Sequence, residues 1–336
     1  MTGQVGITLP FDDVSLTDHR PLLRSLIDGG YDDVWTGEVN ANDGFTPLAL
    51  FAGWEDGLRV SCAVPSVFTR GPGLLAMTAA SLAEIAPGRA RFGIGAGSNV
   101  IVETWNGVPF AQPLHKVHDT LRFLRQVLSG ERADDYETVH GKGFKLARVP
   151  KVPPTLVVAA LGPKMQELAA AEADGVCLNF LSAADVLTVI ERSQTVARSA
   201  PGTLETSARL FVIPGEGDAV EAAARRHIAG YLTVPVYTRF QEWLGRGDAI
   251  APLLSAWNGG DRKKATAVIP QEVVDDLVAY GTPAQCAERI GRYFDAGLDA
   301  ATLCVLPSPD PLPAPARVEF LVDLRRQLTE RASKEI

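Results

Sequence analysis

Cysteine is scarce in this 336-residue chain: Cys62, Cys177, Cys286 and Cys304 stand far apart, each in an apolar segment. That spacing suggests neither a disulfide framework nor a zinc knuckle, and it reads as buried free thiols. His115 and His118 are spaced to share a helix face, but no third ligand lies near them, so no metal is expected. No apolar run approaches the roughly 18 to 20 residues of a membrane span. The first ten residues also lack the basic start and cleavage pattern of a secretory signal, and the expected address is cytoplasmic. Basic residues are in deficit, with 32 Lys and Arg against 40 Asp and Glu. A net charge of -8 argues against nucleic-acid binding, which needs a dense basic face. Blocks of like charge, low-complexity tracts and repeats are all missing, which removes solenoids. With neither G-x-S-x-G nor a P-loop pattern present, hydrolase and nucleotide triphosphatase readings have no support.

What is present is an ordinary globular composition, 46% hydrophobic and 21% charged. Short β-type runs alternate with longer amphipathic stretches, the pattern of parallel strands joined by crossover helices. Strands are expected at 4–9, 32–36, 58–64, 89–94, 155–160, 175–180, 207–213 and 300–306. Helices are expected at 18–28, after Gly71-Pro72-Gly73 to about Ala86, and at 113–130, 163–173, 183–198 and 282–296. Eight strands predict an α/β fold, a (β/α)8 TIM barrel, for which about 250 residues is typical. The excess is assigned to insertions at 134–152 and at 231–281, the latter helical but irregular, within a single domain spanning 1–336. An open doubly wound sheet would carry its glycine fingerprint after the first strand. Here that strand ends in Leu9-Pro10-Phe11-Asp12-Asp13, with no glycine.

Two loops could carry chemistry. Gly93-Ile94-Gly95-Ala96-Gly97-Ser98 follows the fourth strand, where glycines let backbone amides approach an anion; a tight turn without ligand explains the same residues. Ala159-Ala160-Leu161-Gly162-Pro163-Lys164 follows the fifth strand, with small residues beside a helix start and a lysine that is either ligand-facing or solvated. On neighbouring strands of one barrel, both loops would face the same mouth, which favours a shared phosphate or cofactor site.

The segments Arg91–Ser98 and Val102–Phe110, with Ala159–Met165 and Ala173–Val176, resemble the luciferase-like family of coenzyme F420-dependent oxidoreductases. Val34–Glu38, Asp43–Leu48 and Phe68–Pro72 are similar too, so the resemblance covers about Gly3 to Gly175. It implies a barrel with a deazaflavin, coenzyme F420, at its C-terminal mouth and a small-molecule substrate, in a homodimer. Ser61-Cys62 aligns with a non-prolyl cis peptide behind the ring, bringing Ser61, Cys62 and Ala63 into the cofactor site. By the same resemblance Ala96, Gly97 and Ser98 line the ring or phosphate region, and Ala159, Ala160, Leu161 and Gly162 approach the phosphate. Sugar-phosphate-oxidising relatives carry an acid and a histidine after the second strand. This chain has Thr36-Gly37-Glu38 without the histidine, so Glu38 is the candidate catalytic acid or a salt-bridged strand-end carboxylate. The alternatives are an FMN-dependent luciferase-like monooxygenase and a non-catalytic flavin- or deazaflavin-binding protein.

His19 and His140 are expected to be solvated. His227, beside Arg225 and Arg226, is expected on a solvated helix face or against an anionic cofactor tail. Trp35, Trp105, Trp243 and Trp257 are candidates for a pocket wall or for the core.

Overall fold

The computed structural model describes residues 3–334. Its strands are β1 (Gln4–Thr8), β2 (Asp33–Thr36), β3 (Arg59–Cys62), β4 (Ala90–Ile94), β5 (Thr155–Ala159), β6 (Gly175–Asn179), β7 (Glu205–Pro214), β8 (Val278–Gly281) and β9 (Ala300–Val305). Strands β1 to β7 pair in sequence order, all parallel, and β9 pairs with both β7 and β1. Eight strands therefore close into a (β/α)8 TIM barrel. β8 is a ninth strand, which the alternation in the sequence did not disclose. It pairs with Phe211–Pro214 of β7, beyond the last β6 partner at Arg209. Only four residues long, it is cut out of an otherwise helical stretch, too short to establish a period of its own.

The helices are α1 (His19–Asp28), α2 (Thr46–Trp54), α3 (Pro72–Ile85), α4 (Pro113–Leu128), α5 (Pro163–Glu172), α6 (Ala183–Gln194), α7 (Asp218–Leu232), α8 (Pro235–Trp243), α9 (Gly247–Asn258), α10 (Arg262–Ala267), α11 (Gln271–Leu277), α12 (Pro283–Asp295) and α13 (Ala314–Lys334). Proline sits in the first turn of α2, α3, α4, α5, α8 and α12, where its fixed φ suits a helix start and its missing N–H costs no bond. No helix among the described residues is long and apolar enough to cross a membrane.

Inside the barrel, side chains form layers. At the N-terminal end Arg91 pairs with Asp33 at 3.0 Å and with Glu205, and Ser61 Oγ donates to Asp33 Oδ1 at 3.1 Å. Above that polar plug lie Trp35, Val157 and Cys177, with Ala63 against them. The outer faces of the strands and the inner faces of the helices make the main core, which includes Cys62.

Residues 134–152 carry no helix or named strand, only a bridge between Asp135 and His140. The segment is tied to α4 by Thr138, whose N–H and hydroxyl donate to Asp119 Oδ2 at 2.8 and 2.7 Å. Residues 231–281 hold the end of α7, then α8 to α11 and β8. This segment folds over one side of the mouth, where Gln241 Nε2 donates to the carbonyl of Phe180 at 2.6 Å.

Candidate functional site

The C-terminal mouth divides into two sides. On the β2–β5 side, backbone sets the shape. A non-prolyl cis peptide joins Ala63 to Val64, just past β3, so the expected position at Ser61-Cys62 is corrected by two residues. Ser61 and Cys62 lie within the strand, both 0% exposed: Ser61 points at Asp33 below, and Cys62 points outward, its Sγ close to Gly44. Burial pushes the Cys62 thiol up to about 12. Neither side chain reaches the mouth.

Past β3 the chain presses onto β4. A Cβ on Gly93 would lie 2.0 Å from the Cys62 carbonyl oxygen, and one on Gly95 would lie 2.7 Å from Val64 Cγ2. These glycines are thus required by close approach of protein to protein. Gly97, at φ +75°, turns the chain back, and its neighbour Ala96 accepts from Ser66 Oγ at 2.7 Å. Ser98 opens a π-helical turn, Val100–Trp105, its Oγ accepting from the Ile101 N–H at 3.3 Å. One strand on, Ala159 ends β5 and Ala160 N–H donates to the Cys177 carbonyl at 3.0 Å. Gly162 is the N-cap of α5, which has no side-chain cap, and Lys164 is exposed in its first turn. The next helix is closed differently: Ser182 and Asp185 form a reciprocal capping box at α6, and Arg246 binds both.

Glu38 is engaged. Its carboxylate takes Arg70 Nε at 3.0 Å and Nη2 at 2.7 Å, and also accepts the Gly44 N–H at 2.8 Å. Arg70 lies 4.9 Å from the Phe45 ring centroid and 3.6 Å from Asp43, and the Glu38 hydrogen bond raises its pKa. Each side chain of the pair is 19% exposed. The assembly fixes the loop after β2, with Thr36 Oγ1 donating to the Gly44 carbonyl at 2.5 Å.

On the β6–β9 side, side chains set the shape. Arg209 stands in register with Asn179 of β6 and Thr302 of β9, on the face that turns into the barrel. Its Nη2 lies 2.9 Å from Cys304 Sγ, and its guanidinium is 5.3 Å from the Phe211 ring centroid. Above it Phe180, Phe211, His227, Tyr231 and Tyr237 form one aromatic cluster. Desolvation, and then the Arg209 charge, hold His227 down at about 4, so it is neutral near pH 7. Four polar atoms here are shielded from solvent without a partner: Asn179 Oδ1, Arg209 Nε, Thr302 Oγ1 and His227 Nε2.

The expectation that His227 is solvated is thus overturned, because α7 turns it inward against Phe180 and Phe211. His19 is also inside, 0% exposed, accepting the Phe11 N–H at 2.8 Å. His140 is exposed, and His118 pairs with Glu172 at 3.0 Å. Of the tryptophans only Trp35 enters the barrel; Trp105 is 51% exposed, Trp243 stacks on Phe240, and Trp257 lies under Arg262. Sequence reasoning gave no role to Arg209, Asn179, Tyr237 or Arg70. A signal for Arg209 was available: it is a charge at an inward-pointing position in the apolar strand SARLFVI.

The profile of the family described as luciferase-like monooxygenase matches residues 4–300. The 5,10-methylenetetrahydromethanopterin reductase of Methanolobus tindarius is 26% identical over 282 residues, 80% of this chain and 84% of that protein. The F420-dependent hydroxymycolic acid dehydrogenase of Mycobacterium tuberculosis is 27% identical over 213 residues, 61% of this chain and 58% of that protein. Among solved structures, the coenzyme F420-dependent tetrahydromethanopterin reductase of Methanopyrus kandleri superposes with a TM-score of 0.76. At 18% identity it covers 98% of this chain and 99% of its own, a likeness of fold.

Proposed function

Because the chain belongs to the luciferase-like monooxygenase family, we propose that it is a coenzyme F420-dependent oxidoreductase, moving a hydride between the deazaflavin and a small organic substrate at the barrel mouth. The observation that carries this reading is the backbone-walled side of the mouth. There the chain past Cys62 fills the space above Gly93 and Gly95, beside the uncapped start of α5. A planar ring can lie against such a wall, and an anionic tail can meet the N–H groups of a helix start.

Coenzyme F420, when bound, supplies a deazaflavin ring that carries two electrons as a hydride. In this reading Ala63, Ala96, Gly97 and Ser98 wall the ring, and Ala159 to Gly162 hold the phosphate through backbone groups. Ser61 and Cys62 are removed from the binding set, since both side chains point away from the mouth. Glu38 acts by holding Arg70 and the Gly44 loop, because a carboxylate already accepting from Arg70 Nε, Arg70 Nη2 and the Gly44 N–H is poorly placed to take a substrate proton. The buried unpartnered atoms at Asn179, Arg209 and Thr302 fit a mouth that receives a polar ligand. A homodimer belongs to the same reading; Leu74 and Met77 of α3, 49% and 50% exposed, are the residues it would cover.

The test is anaerobic titration of the apoprotein with coenzyme F420 and, separately, with FMN, following fluorescence quenching. Micromolar or tighter binding of F420 alone supports the reading. Preference for FMN overturns the cofactor assignment, and binding of neither removes the function.

A further inference from the structure

Arg209 is the anomaly of the barrel interior. Three other shielded arginines are neutralised by carboxylates: Arg91 by Asp33 and Glu205, Arg70 by Glu38 and Asp43, Arg246 by Asp185 and Asp276. Arg209 has no carboxylate partner among the described residues. Its Nη2 meets Cys304 Sγ, and its Nε is shielded without a partner. A half-buried guanidinium with a shielded, unpartnered Nε is costly unless an anion joins it. Burial works against its charge, but Cys304 and the tyrosines Tyr231 and Tyr237 outweigh burial, and the pKa is raised. The group is cationic at any working pH.

The surroundings narrow the anion. Asn179 and Thr302 flank Arg209 in register, each with a shielded oxygen lacking a partner, so the wall beside the cation is polar. The roof is aromatic: Phe211 lies against the guanidinium, Tyr237 meets the neighbouring Asn179, and His227, neutral near pH 7, adds no second charge. One positive charge under an apolar roof complements a monoanion with an apolar body. A planar guanidinium matches a carboxylate in two parallel hydrogen bonds. Phosphate esters carry nearly twice the charge at neutral pH and favour more than one cation.

We propose that the β6–β9 side of the mouth is the substrate subsite and that Arg209 recognises a carboxylate on the substrate, making the substrate class a small organic acid. This inference rests on the oxidoreductase reading for the word substrate. The anion subsite itself does not depend on the identity of the cofactor.

The test uses benzoate as the probe, with benzamide as its neutral isostere and phenyl phosphate as the dianion. Binding is measured by calorimetry to the apoprotein and to protein loaded with F420, for the natural chain, Arg209→Gln and Arg209→Lys. Benzoate is expected to bind at least about tenfold more tightly than benzamide, the discrimination of a charge-assisted hydrogen bond. R209Q loses that preference, R209K keeps part of it, and affinity for F420 changes less than about twofold in both, since uncontacted groups stay additive. To test the subsite without a variant that must fold, the natural protein is also treated with phenylglyoxal, and modification of Arg209 is read by mass spectrometry. Benzoate slows it and benzamide does not. Equal binding of benzoate and benzamide, or no protection, overturns the proposal. Tighter binding of phenyl phosphate overturns the choice of carboxylate. Loss of F420 affinity in R209Q with benzoate affinity intact reassigns Arg209 to the cofactor. Benzoate selectivity without any F420 binding leaves the subsite standing while the cofactor reading fails.

Discussion

On the β2–β5 side of the mouth the space is bounded by main chain, with Gly93, Gly95 and Ala159 leaving no side chain to move. On the β6–β9 side it is bounded by long side chains, with Arg209, Tyr237 and His227 projecting into it from β7, α8 and α7. The first side fixes a shape and offers few charges, with Arg70 tied to Glu38 and Lys164 exposed. The second side holds an untied charge in an environment that rotamers can remodel. A barrel that must present the same cofactor to different substrates is served by this division, because loop and insertion residues change on one side while backbone holds the other. Substitutions on the two sides should therefore fail differently: by loss of fold on the glycine side, by loss of ligand selectivity on the arginine side.

The largest effect belongs to Gly93→Ala. A methyl 2.0 Å from the Cys62 carbonyl oxygen forces backbone apart. Destabilisation of roughly 2–3 kcal/mol or failure to fold is expected, the upper range for overpacking. Urea unfolding followed by circular dichroism checks it. A change under about 0.5 kcal/mol, the usual surface value, would show that the β3–β4 approach is slack.

His227 sharpens the comparison from the other side. Above its ordinary value of 6.5 the ring is neutral both folded and unfolded, and pH has no effect through it. Between 6.5 and about 4 the unfolded chain takes up a proton that the folded chain refuses, so stability falls as pH falls. The loss reaches at most about 3 kcal/mol below that window, from 1.36 kcal/mol per pKa unit. His227→Phe should flatten this part of the stability–pH curve, measured by denaturant melts from pH 4 to 7. An unchanged curve would mean that His227 takes its proton in the folded state.

Glu38→Gln comes next, separating an anchor from an acid. Breaking a half-buried pair whose side chains are each 19% exposed should cost roughly 1–2 kcal/mol, between surface and buried values. An anchor's loss raises KM for the cofactor and leaves kcat within about tenfold, the pattern of lost uniform binding. A kcat reduced more than about a hundredfold, with fold and cofactor affinity intact, is what removing a general acid or base does.

The barrel was legible because its strands announce themselves: β1 to β7 and β9 are apolar runs separated by helices with proline in the first turn or glycine behind them. What stayed hidden depends on contacts across the sequence. β8 is a strand because β7 outruns β6 and leaves Phe211–Pro214 to pair. His227 reads as one member of a basic trio, and only the packing of α7 on Phe180 and Phe211 turns it inward. Gly93 and Gly95 were read at the end of the fourth strand, but their cause lies about 30 residues earlier, at Cys62 and Val64. Glu38 was named as either acid or salt-bridged carboxylate; its partner Arg70 lies 32 residues away in the chain.

The smallest effect tests whether the α5 start takes an anionic tail at all. Lys164 is exposed in the first turn of a helix whose N-cap, Gly162, offers no side-chain hydrogen bond. If the tail meets this terminus, most of the attraction comes from backbone N–H groups, which no substitution here removes, and Lys164 adds a solvent-screened charge. Lys164→Ala should then weaken F420 binding only about two- to fivefold, consistent with an exposed ion pair. The deficit should shrink as salt is raised from about 0.01 to 0.15 M, where the screening length falls from about 30 to 8 Å. Titrations of both proteins at the two ionic strengths measure it. A salt-independent loss would point to Lys164 in direct hydrogen-bond contact with the ligand, and no loss at either ionic strength would move the tail away from α5, toward Ser98 in the loop after β4.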